Sequence, residues 1–387
     1  MASESGATLF PDARGADARR HTTGLLPCQT IRELMAAGHL AADVPIEERQ
    51  IQPASLDLRL GPMAWRVRAS FLPGRHASVR DKLTRLSMHE IDLSKGAVLE
   101  RGCVYIAPLM EEFSLPSLVS AAASPKSSTG RLDVFTRLIR DYGTEFDALP
   151  EGFKGRPYVE IAPRTFSILV REGDPLNQLR FRRGAPPPAD AELVRLHSRD
   201  PLVYAADERP LDARIRKGLW VSIDLEGADA GPVGFRAKKH AALVEIAKVD
   251  HYEPAEFWEP LDAGRDRTLV LDPDDFYILV SKERVSVPPD YAAEMVAYDT
   301  SLGEYRVHYA GFFDPGFGFG EDAKSGTPAV LEVRSHEVPF LLEDGQVAAR
   351  LLYERLMAIP ERLYGRDIGS AYQGQGLTLG KQFKRPR

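Results

Sequence analysis

The sequence predicts a mainly β protein made of two tandem domains with a few short helices. Its 387 residues include 29 Pro and 31 Gly, and short β-branched and aromatic runs recur between these turn-forming residues. This pattern is typical of closely spaced strands. At roughly 150 residues per domain, the length also allows two or three separate cores. An internal repeat fixes the number at two.

The repeat has a constant offset. The segment VYI at 104–106, followed by Leu-Pro, resembles FYI at 276–278, followed by Val-Pro. Likewise SILVREGDPLNQLRF at 167–181 resembles PFLLEDGQVAARLLY at 339–353. In both comparisons the matched residues are 172 positions apart. We therefore predict one domain at residues 1–200 and a second at 201–387.

Helices and connections are few in this prediction. Residues 30–37 form a candidate helix because Gly38 follows as a stop signal. A short helical stretch is also expected near residues 289–295. The Pro-rich segment 185–189 and the charged segment after it form the predicted linker between the copies.

Charge and hydropathy exclude two classes of partner. Lys and Arg total 50 against 56 Asp and Glu, a net charge of −6, so a nucleic-acid-binding protein is not expected. The basic run at 381–387 is expected to be a solvated tail. No apolar stretch reaches about 18 residues, which predicts no membrane span. Residues 1–23 lack the apolar core of a signal peptide, which predicts a cytoplasmic protein.

The cysteines and histidines predict no zinc site. Cys28 and Cys103 are far apart and form no CxxC pair, and the nine His residues include no HExxH motif. The HxE…PCxxC signature of zinc-dependent nucleobase deaminases is also missing. Both thiols are expected to be reduced and buried.

The two copies differ in a complementary way. The first has KSSTGR at 126–131, and the second has DTSLGE at 299–304, so that a Glu replaces Arg131. An Arg beside two hydroxyl groups suits a phosphate, whereas a Glu would repel it. Conversely, the second copy has HYAGFFDPGF at 308–317, where the first has only EFDALPEGF at 145–153. This pattern predicts one working site assembled from both copies.

Each copy also places a carboxylate in an apolar strand. Glu160 lies in YVEI and Glu332 in VLEV. A carboxyl group in such surroundings should have a raised pKa, which suits a general acid or base. The alternative is an edge-strand Glu that faces solvent.

Five segments together resemble one family. They are IQPASLDLRLG at 51–61, SSTGRL at 127–132, DPGF at 314–317, Leu331-Glu332 and YQGQG at 372–376. In this order they are similar to the conserved segments of dCTP deaminases. The first two lie in the first copy and the others in the second, so the chain resembles a long, internally duplicated bacterial form related to the trimeric dUTPases.

This resemblance implies a distorted β-barrel or jelly-roll fold for each domain, and a homo-oligomer, by family habit a homotrimer. It implies hydrolytic deamination of dCTP to dUTP and ammonia without zinc, which supplies dUTP for thymidylate synthesis. Mg²⁺ would arrive with the triphosphate, and dTTP is a candidate inhibitor. The implied partners are therefore dCTP and dUTP.

The resemblance also assigns roles to residues. Glu332 would take a proton from the attacking water and deliver it to the ring and the leaving amine, while Arg131 and Ser127 hold the water and the Glu. The remaining assignments concern substrate binding: Lys126 and Ser128 for the phosphates, Ala310 and Asp314 for the base and deoxyribose, and Tyr364 and Gln375 for closure over the nucleotide.

Three departures from the family pattern affect these roles. The family's Lys before Tyr-Gln-Gly-Gln is Ala371 here, so a phosphate contact is lost or moved to Lys381. About eight residues are inserted within 320–328. The first copy lacks this insertion, which makes Glu160 a rival base. A trimeric ring made of first copies alone would pair Arg131 with Glu160, which favours Glu160 as the base. The two copies have each lost what the other keeps, which favours Glu332, and we prefer Glu332.

Two alternatives stay open. A bifunctional dCTP deaminase/dUTP diphosphatase should carry a Gly-Val-Ile-Asp type hairpin and a Gly-rich Arg motif at the C-terminus, and neither is found in the sequence. A non-catalytic nucleotide-binding homologue would bind nucleotide without turnover.

Overall fold

The computed structural model describes residues 21–184, 189–227, 231–296, 311–320, 326–335, 337–365, 372 and 374–385, and the backbone of 305–308. Ala310, Ala371 and the segment 299–304 lie outside the described residues.

The first copy contains fifteen described strands. They are β1 Gly24–Leu25, β2 Leu40–Ala42, β3 Leu56–Arg59, β4 Met63–Val67, β5 Ser87–Asp92, β6 Ala97–Leu99, β7 Val104–Pro108, β8 Glu111–Ser114, β9 Val119–Pro125, β10 Val134–Ile139, β11 Ala148–Leu149, β12 Lys154–Gly155, β13 Tyr158–Pro163, β14 Ile168–Val170 and β15 Pro175–Arg183.

The second copy contains thirteen described strands. They are β16 Val203–Tyr204, β17 Leu219–Ser222, β18 Gly234–Ala237, β19 Val244–Glu245, β20 Trp258–Leu261, β21 Thr268–Leu271, β22 Tyr277–Val285, β23 Tyr291–Val296, β24 Tyr305–His308, β25 Phe312–Phe313, β26 Thr327–Ser335, β27 Phe340–Glu343 and β28 Val347–Arg355.

The described helices are short. They are α1 Cys28–Ala36, α2 Val79–Leu86, α3 Ser127–Gly130, α4 Asp190–Arg199 and α5 Pro254–Phe257, together with a 3₁₀ turn at Glu48–Gln50. The prediction of a mainly β fold with two tandem domains and few helices is confirmed.

Sheet topology repeats the sequence duplication. In the first copy one sheet has the order β10-β13-β7-β4-β5, and in the second the order is β24-β26-β22-β18-β20. The pairing register repeats as well, because Glu160 pairs with Ile106 and Glu332 with Ile278, 172 residues further on. A second sheet in each copy, β1-β15-β9-β11 and β17-β28-β23-β25, follows the same plan. Both carboxylate strands are central in their sheets, so neither Glu is the edge-strand residue of the alternative prediction.

The hydrophobic cores cross the boundary between the copies. The core of the first copy includes Val244, Trp258 and Phe383 from the second. Strand β14 pairs in parallel with β19 of the second copy. The two domains therefore share packed side chains instead of joining only through the linker.

One predicted helix is confirmed and one is wrong. Helix α1 starts at Cys28, two residues before the predicted start, and Gly38 follows it with φ +74°. Residues 291–296 form strand β23, not a helix, because they pair with β28 on one side and β25 on the other. Backbone pairing on both sides outweighs weak local helix propensity.

The prediction of a solvated basic tail is wrong for residues 381–383, whereas Lys384 and Arg385 are exposed as expected. Gln382 is 0% exposed and Phe383 2%, and the backbone N–H groups of His251 and Tyr252 donate to the Gln382 carbonyl. The Phe383 ring lies 5.3 Å from that of Phe257. Burial of the Phe383 ring in an aromatic cluster thus anchors this part of the tail, while the charged ends of Lys384 and Arg385 stay in solvent.

The two thiols are free in the structure. Cys28 is buried, as expected, whereas Cys103 is half-buried and accepts a hydrogen bond from Arg66. In the part of the chain that the structure describes, no helix is long and apolar enough to cross a bilayer.

Candidate active site

A cavity of about 360 Å³ lies between the two copies of one chain. Its lining includes eight residues that the sequence assigned to a site: Lys126, Ser127, Ser128, Arg131, Asp314, Glu332, Tyr364 and Gln375. It also includes Arg49, Gln52, Asp57, Phe312, Tyr372 and Lys381. The structure thus brings the predicted half-sites together within a single chain.

The loop from the first copy enters the cavity as one helical turn. Strand β9 ends at Pro125, and α3 follows, with its backbone fixed because the Lys126 N–H donates to the Leu176 carbonyl at 2.9 Å. The Thr129 hydroxyl donates to the same carbonyl. Arg131 is the first residue after the turn and is 4% exposed. These bonds set the direction in which Arg131 enters the cavity.

Glu332 meets Arg131 across the boundary between the copies. The distance from Arg131 Nε to Glu332 Oε1 is 3.9 Å, which is an ion pair without a direct hydrogen bond. Among the described residues, Arg131 Nε donates no hydrogen bond. The spacing leaves this N–H available for a small group between the two side chains.

Burial sets the protonation of Glu332. The side chain lies in the middle of β26 and is 6% exposed. Loss of hydration raises the pKa of Glu332 to about 8, and the guanidinium of Arg131 opposes that rise only in part. The group therefore titrates near neutral pH, as a proton-transfer group requires.

The Asp314 turn is held from the first copy by Arg180. Its guanidinium donates to Asp314 Oδ1 at 3.3 Å and to the carbonyls of Ala293 and Phe313. It also lies 4.0 Å from the centre of the Phe312 ring. Burial raises the pKa of Asp314, while Arg180 lowers it. The turn is therefore fixed on both its side-chain and its backbone oxygens.

The same turn packs against Tyr364, where the C-terminal segment (residue 364 onward) begins. Gly316 has φ +96°, and a Cβ there would lie 3.1 Å from the backbone N of Tyr364, so only Gly fits without displacement. The Tyr364 N–H donates to the Pro315 carbonyl, and its ring lies 5.7 Å from that of Phe317. An aromatic wall thus closes one end of the cavity.

Positive charge collects at another part of the cavity. Lys126 Nζ pairs with Asp57 from segment 51–61, and Lys381 lies close enough to both to be influenced electrostatically. Burial, with Lys126 as the next cause, lowers the pKa of Lys381. Asp174 also influences Lys381 but does not line the cavity, so the lining here has two amines and one carboxylate, an excess of positive charge that suits an anion.

The C-terminal segment covers Arg131. Arg131 Nη1 donates to Gln375 Oε1 and to the Thr378 carbonyl, each at 3.0 Å. The Tyr372 ring lies 4.0 Å from the guanidinium carbon. Removing this segment would expose Arg131 and Glu332 to water.

Glu160 lies elsewhere. It is 1% exposed, does not line the cavity, and pairs with Arg137 on the neighbouring strand at 3.4 Å. Arg137 in turn lies 3.9 Å from the centre of the Phe146 ring. Within one chain, then, Glu332 and not Glu160 is the carboxylate near Arg131.

No group of three or more His, Cys, Asp or Glu side chains in the described ranges is arranged to hold a metal ion. The described residues lining the cavity include neither His nor Cys, the donors that zinc sites usually contain.

Together, the fold and the cavity define a two-domain β protein whose copies meet at a cavity lined by a buried Arg–Glu pair and by two lysines. Two family models match the chain, one for each copy. That of the 2'-deoxycytidine 5'-triphosphate deaminase N-terminal domain covers residues 22–185, and that of the C-terminal domain covers 189–383. The chain belongs to the dCTP deaminase family, and it is an enzyme that deaminates dCTP.

Individual relatives agree with this assignment. The crystal structure of 2'-deoxycytidine 5'-triphosphate deaminase from Agrobacterium tumefaciens is 52% identical, with a TM-score of 0.82 over 88% of this chain and 100% of that one. A dCTP deaminase, dUMP-forming, from Pseudarthrobacter chlorophenolicus is 29% identical over 43% of this chain and 89% of the relative. A dCTP deaminase from Natronomonas pharaonis is 37% identical over 27% of this chain and 52% of the relative.

Sequence reasoning assigned no role to several residues at the site. Asp57 lies inside the 51–61 motif, but nothing in that motif shows that Asp57 pairs with Lys126. The repeat could have identified Arg180, because the matching position in the second copy is occupied by the uncharged Leu352. A charge in one copy that is absent from the other marks a residue that serves the shared site.

Proposed function

We propose that the chain hydrolyses dCTP to dUTP and ammonia, with Glu332 as the proton-transfer group and no resident zinc. The observation that carries this proposal is the Arg131–Glu332 pair, 3.9 Å apart at a cavity that one chain completes by itself. The product dUTP would then serve thymidylate synthesis.

In the proposed reaction, ionised Glu332 accepts a proton from water as the oxygen attacks C4 of cytosine. Arg131 and Ser127 hold that water, and the Arg131 guanidinium favours the carboxylate form because a nearby cation lowers the pKa of Glu332. Glu332 delivers that proton to ring N3, then takes the hydroxyl proton of the tetrahedral intermediate and passes it to the amine. The C4–N bond breaks, ammonia leaves, and the oxygen stays on C4 as the carbonyl of dUTP. Fixed donors stabilise the tetrahedral intermediate.

Binding of the triphosphate is assigned to the positive part of the cavity. Lys126, Ser128 and Lys381 supply donors, and Lys381 replaces the Lys that the family has at position 371. Mg²⁺ enters with the nucleotide. Asp57 is a suitable ligand for this Mg²⁺, because Asp57 Oδ1 is buried and has no hydrogen-bond partner among the described residues. The ion would supply charge neutralisation at the phosphates.

The base and sugar are assigned to the second copy. Asp314 and its turn would hold the deoxyribose and cytosine, and Tyr364 with Gln375 would close over them. Because Gln375 already accepts a hydrogen bond from Arg131, closure of the C-terminal segment is coupled to the catalytic residue. Ala310 keeps its predicted backbone role as a proposal.

A second candidate is a bifunctional enzyme that continues to dUMP. Several relatives, including one from Streptomyces avermitilis, are named dCTP deaminase, dUMP-forming. Incubation with dCTP and Mg²⁺ separates the candidates: ammonia with dUTP supports the deaminase, and ammonia with dUMP and pyrophosphate supports the bifunctional enzyme. The third alternative, a non-catalytic homologue, is not favoured, because the chain is an enzyme that deaminates dCTP.

The two Glu→Gln variants provide the matched control. We expect Glu332→Gln to release no ammonia, and Glu160→Gln to retain turnover, since Glu160 lies outside the cavity. The reverse result would contradict the assignment of the base. The homotrimer, inhibition by dTTP and a cytoplasmic location remain predictions.

A further inference from the structure

The loop that carries Arg131 and the strand that carries Glu332 touch a second time, two residues further along each segment. Arg334 Nε donates to Asp133 Oδ1 at 3.3 Å and to Oδ2 at 3.2 Å, and Arg334 Nη2 also bonds Oδ2. Like the catalytic pair, this ion pair joins the first copy to the second.

The pair is buried and geometrically fixed. Asp133 is 0% exposed and Arg334 is 7% exposed. The Thr165 hydroxyl donates to Asp133 Oδ2 at 2.6 Å and accepts from Arg334 Nη2 at 2.9 Å. Arg334 Nη1 donates to the Asp274 carbonyl at 2.7 Å. With this many bonds, neither side chain can move independently.

The backbone connects this ion pair directly to the catalytic residues. Alternate residues of a strand project from the same face, so Arg334 and Glu332 leave β26 on one side. Asp133 has φ +56°, in the left-handed region, and its N–H donates to the Gly130 carbonyl at 2.8 Å. Asp133 therefore ends the turn that follows α3 and contains Arg131, and fixing Asp133 fixes that turn.

The repeat shows why the pairing is specific. Ala162 follows Glu160 by two residues and occupies the position that matches Arg334. Asp133 is followed directly by β10, which pairs with the Glu160 strand of the same chain. If the Arg131 loop instead met the Glu160 strand of a second chain as it meets β26 here, Asp133 would face an alanine. A buried carboxylate without its cation is strongly destabilised.

We propose that the Asp133–Arg334 pair is a positioning device: it holds the Arg131 loop at the Glu332 strand, and it selects that strand over the one carrying Glu160. The inference rests on the proposed role of Glu332. Neither residue touches substrate; both act through the residues two positions before them.

The test uses Asp133→Asn, Arg334→Met and the double variant. Each is assayed with dCTP and Mg²⁺ for ammonia release, and its melting temperature is measured by thermal unfolding. Asn tolerates the left-handed conformation, and Met retains the length of the side chain. Each single variant should lower kcat about 10-fold or more and change KM by less than about threefold, because a small misplacement of catalytic groups acts on the chemical step.

The double variant separates positioning from stability. Its melting temperature should recover toward that of the wild type, since no buried charge is left alone, while kcat stays about 10-fold or more below wild type. Recovery of kcat together with the melting temperature would overturn the proposal. A single variant with wild-type kcat would also overturn it.

Two further variants protect the test against misfolding. Arg334→Lys keeps the charge and should recover part of kcat. Tyr353→Phe removes a buried hydrogen bond to the Ser286 carbonyl outside the cavity, and should lower the melting temperature while kcat stays at the wild-type value. Failure of Arg334→Lys to exceed Arg334→Met in kcat would count against the inference.

The Glu332→Gln variant distinguishes the two proposals. If it still releases ammonia, the proposed function fails. If it is inactive while Asp133→Asn and Arg334→Met keep wild-type kcat, only the positioning inference fails.

Discussion

Replacement of Glu332 by Gln removes an ionisable group from a site that is 6% exposed and retains the shape of the side chain. Burial raises the pKa of Glu332 to about 8 from 4.5. Between pH 4.5 and about 8, Glu332 is protonated in the folded protein but ionised in the unfolded chain. The stabilisation from this proton is fully present below the unfolded pKa, and it is lost as the pH rises through about 8.

The size of the effect follows from the shift. At about 1.4 kcal/mol per pKa unit, raising the pH from 5 to 9 should cost the wild type about 4 kcal/mol more than it costs Glu332→Gln. Urea unfolding of both proteins at pH 5 and pH 9 measures this difference. In activity assays, kcat/KM of the wild type should rise with pH up to about 8 and then level off, because the free enzyme needs the carboxylate.

An equal loss of stability in the two proteins between pH 5 and pH 9 would refute the reasoning, since Glu332 would then have an ordinary pKa. A kcat/KM that falls as pH rises from 6 to 8 would refute the assignment of Glu332 as the base. Glu160→Gln is the control here, because it removes a buried carboxyl group outside the cavity.

Other predictions follow from the same cavity. Lys381→Met should raise KM for dCTP about 10-fold, the effect of one lost phosphate contact, with kcat within about threefold in steady-state assays; an unchanged KM would remove Lys381 from the site. Phe383→Ala should loosen the anchored tail and increase its cleavage by trypsin, with a raised KM; unchanged cleavage would contradict that anchoring role. Co-expressed Arg131→Ala and Glu332→Gln chains should release no ammonia, since each lacks half of its own site; recovered activity would show sites shared between chains.

Much of the fold was predictable because the repeat is recorded directly in the residues. An offset of 172 positions reappears as matched strand pairing, Glu160 with Ile106 and Glu332 with Ile278. Helix α1 was predictable from the stop signal at Gly38. Helix α2 was missed although Ser78 and Asp81 form a capping box at its start, a local signal that sequence reasoning did not use.

Long-range packing accounts for the remaining differences. Residues 291–296 are a strand because two neighbours pair with them, and no local pattern reports those neighbours. The tail at 381–383 is packed because Phe383 contacts an aromatic cluster from distant segments of the chain. Only three-dimensional contact could decide which carboxylate strand meets Arg131, since Glu160 and Glu332 have nearly the same local sequence.

The most direct test is a structure of the Glu332→Gln variant with dCTP and Mg²⁺ bound. We predict that cytosine C4 lies beside Gln at position 332 and Arg131 of the same chain, with the triphosphate at Lys126 and Lys381. A nucleotide bound beside Glu160, or one that takes its arginine and its carboxylate strand from different chains, would contradict a site completed within one polypeptide.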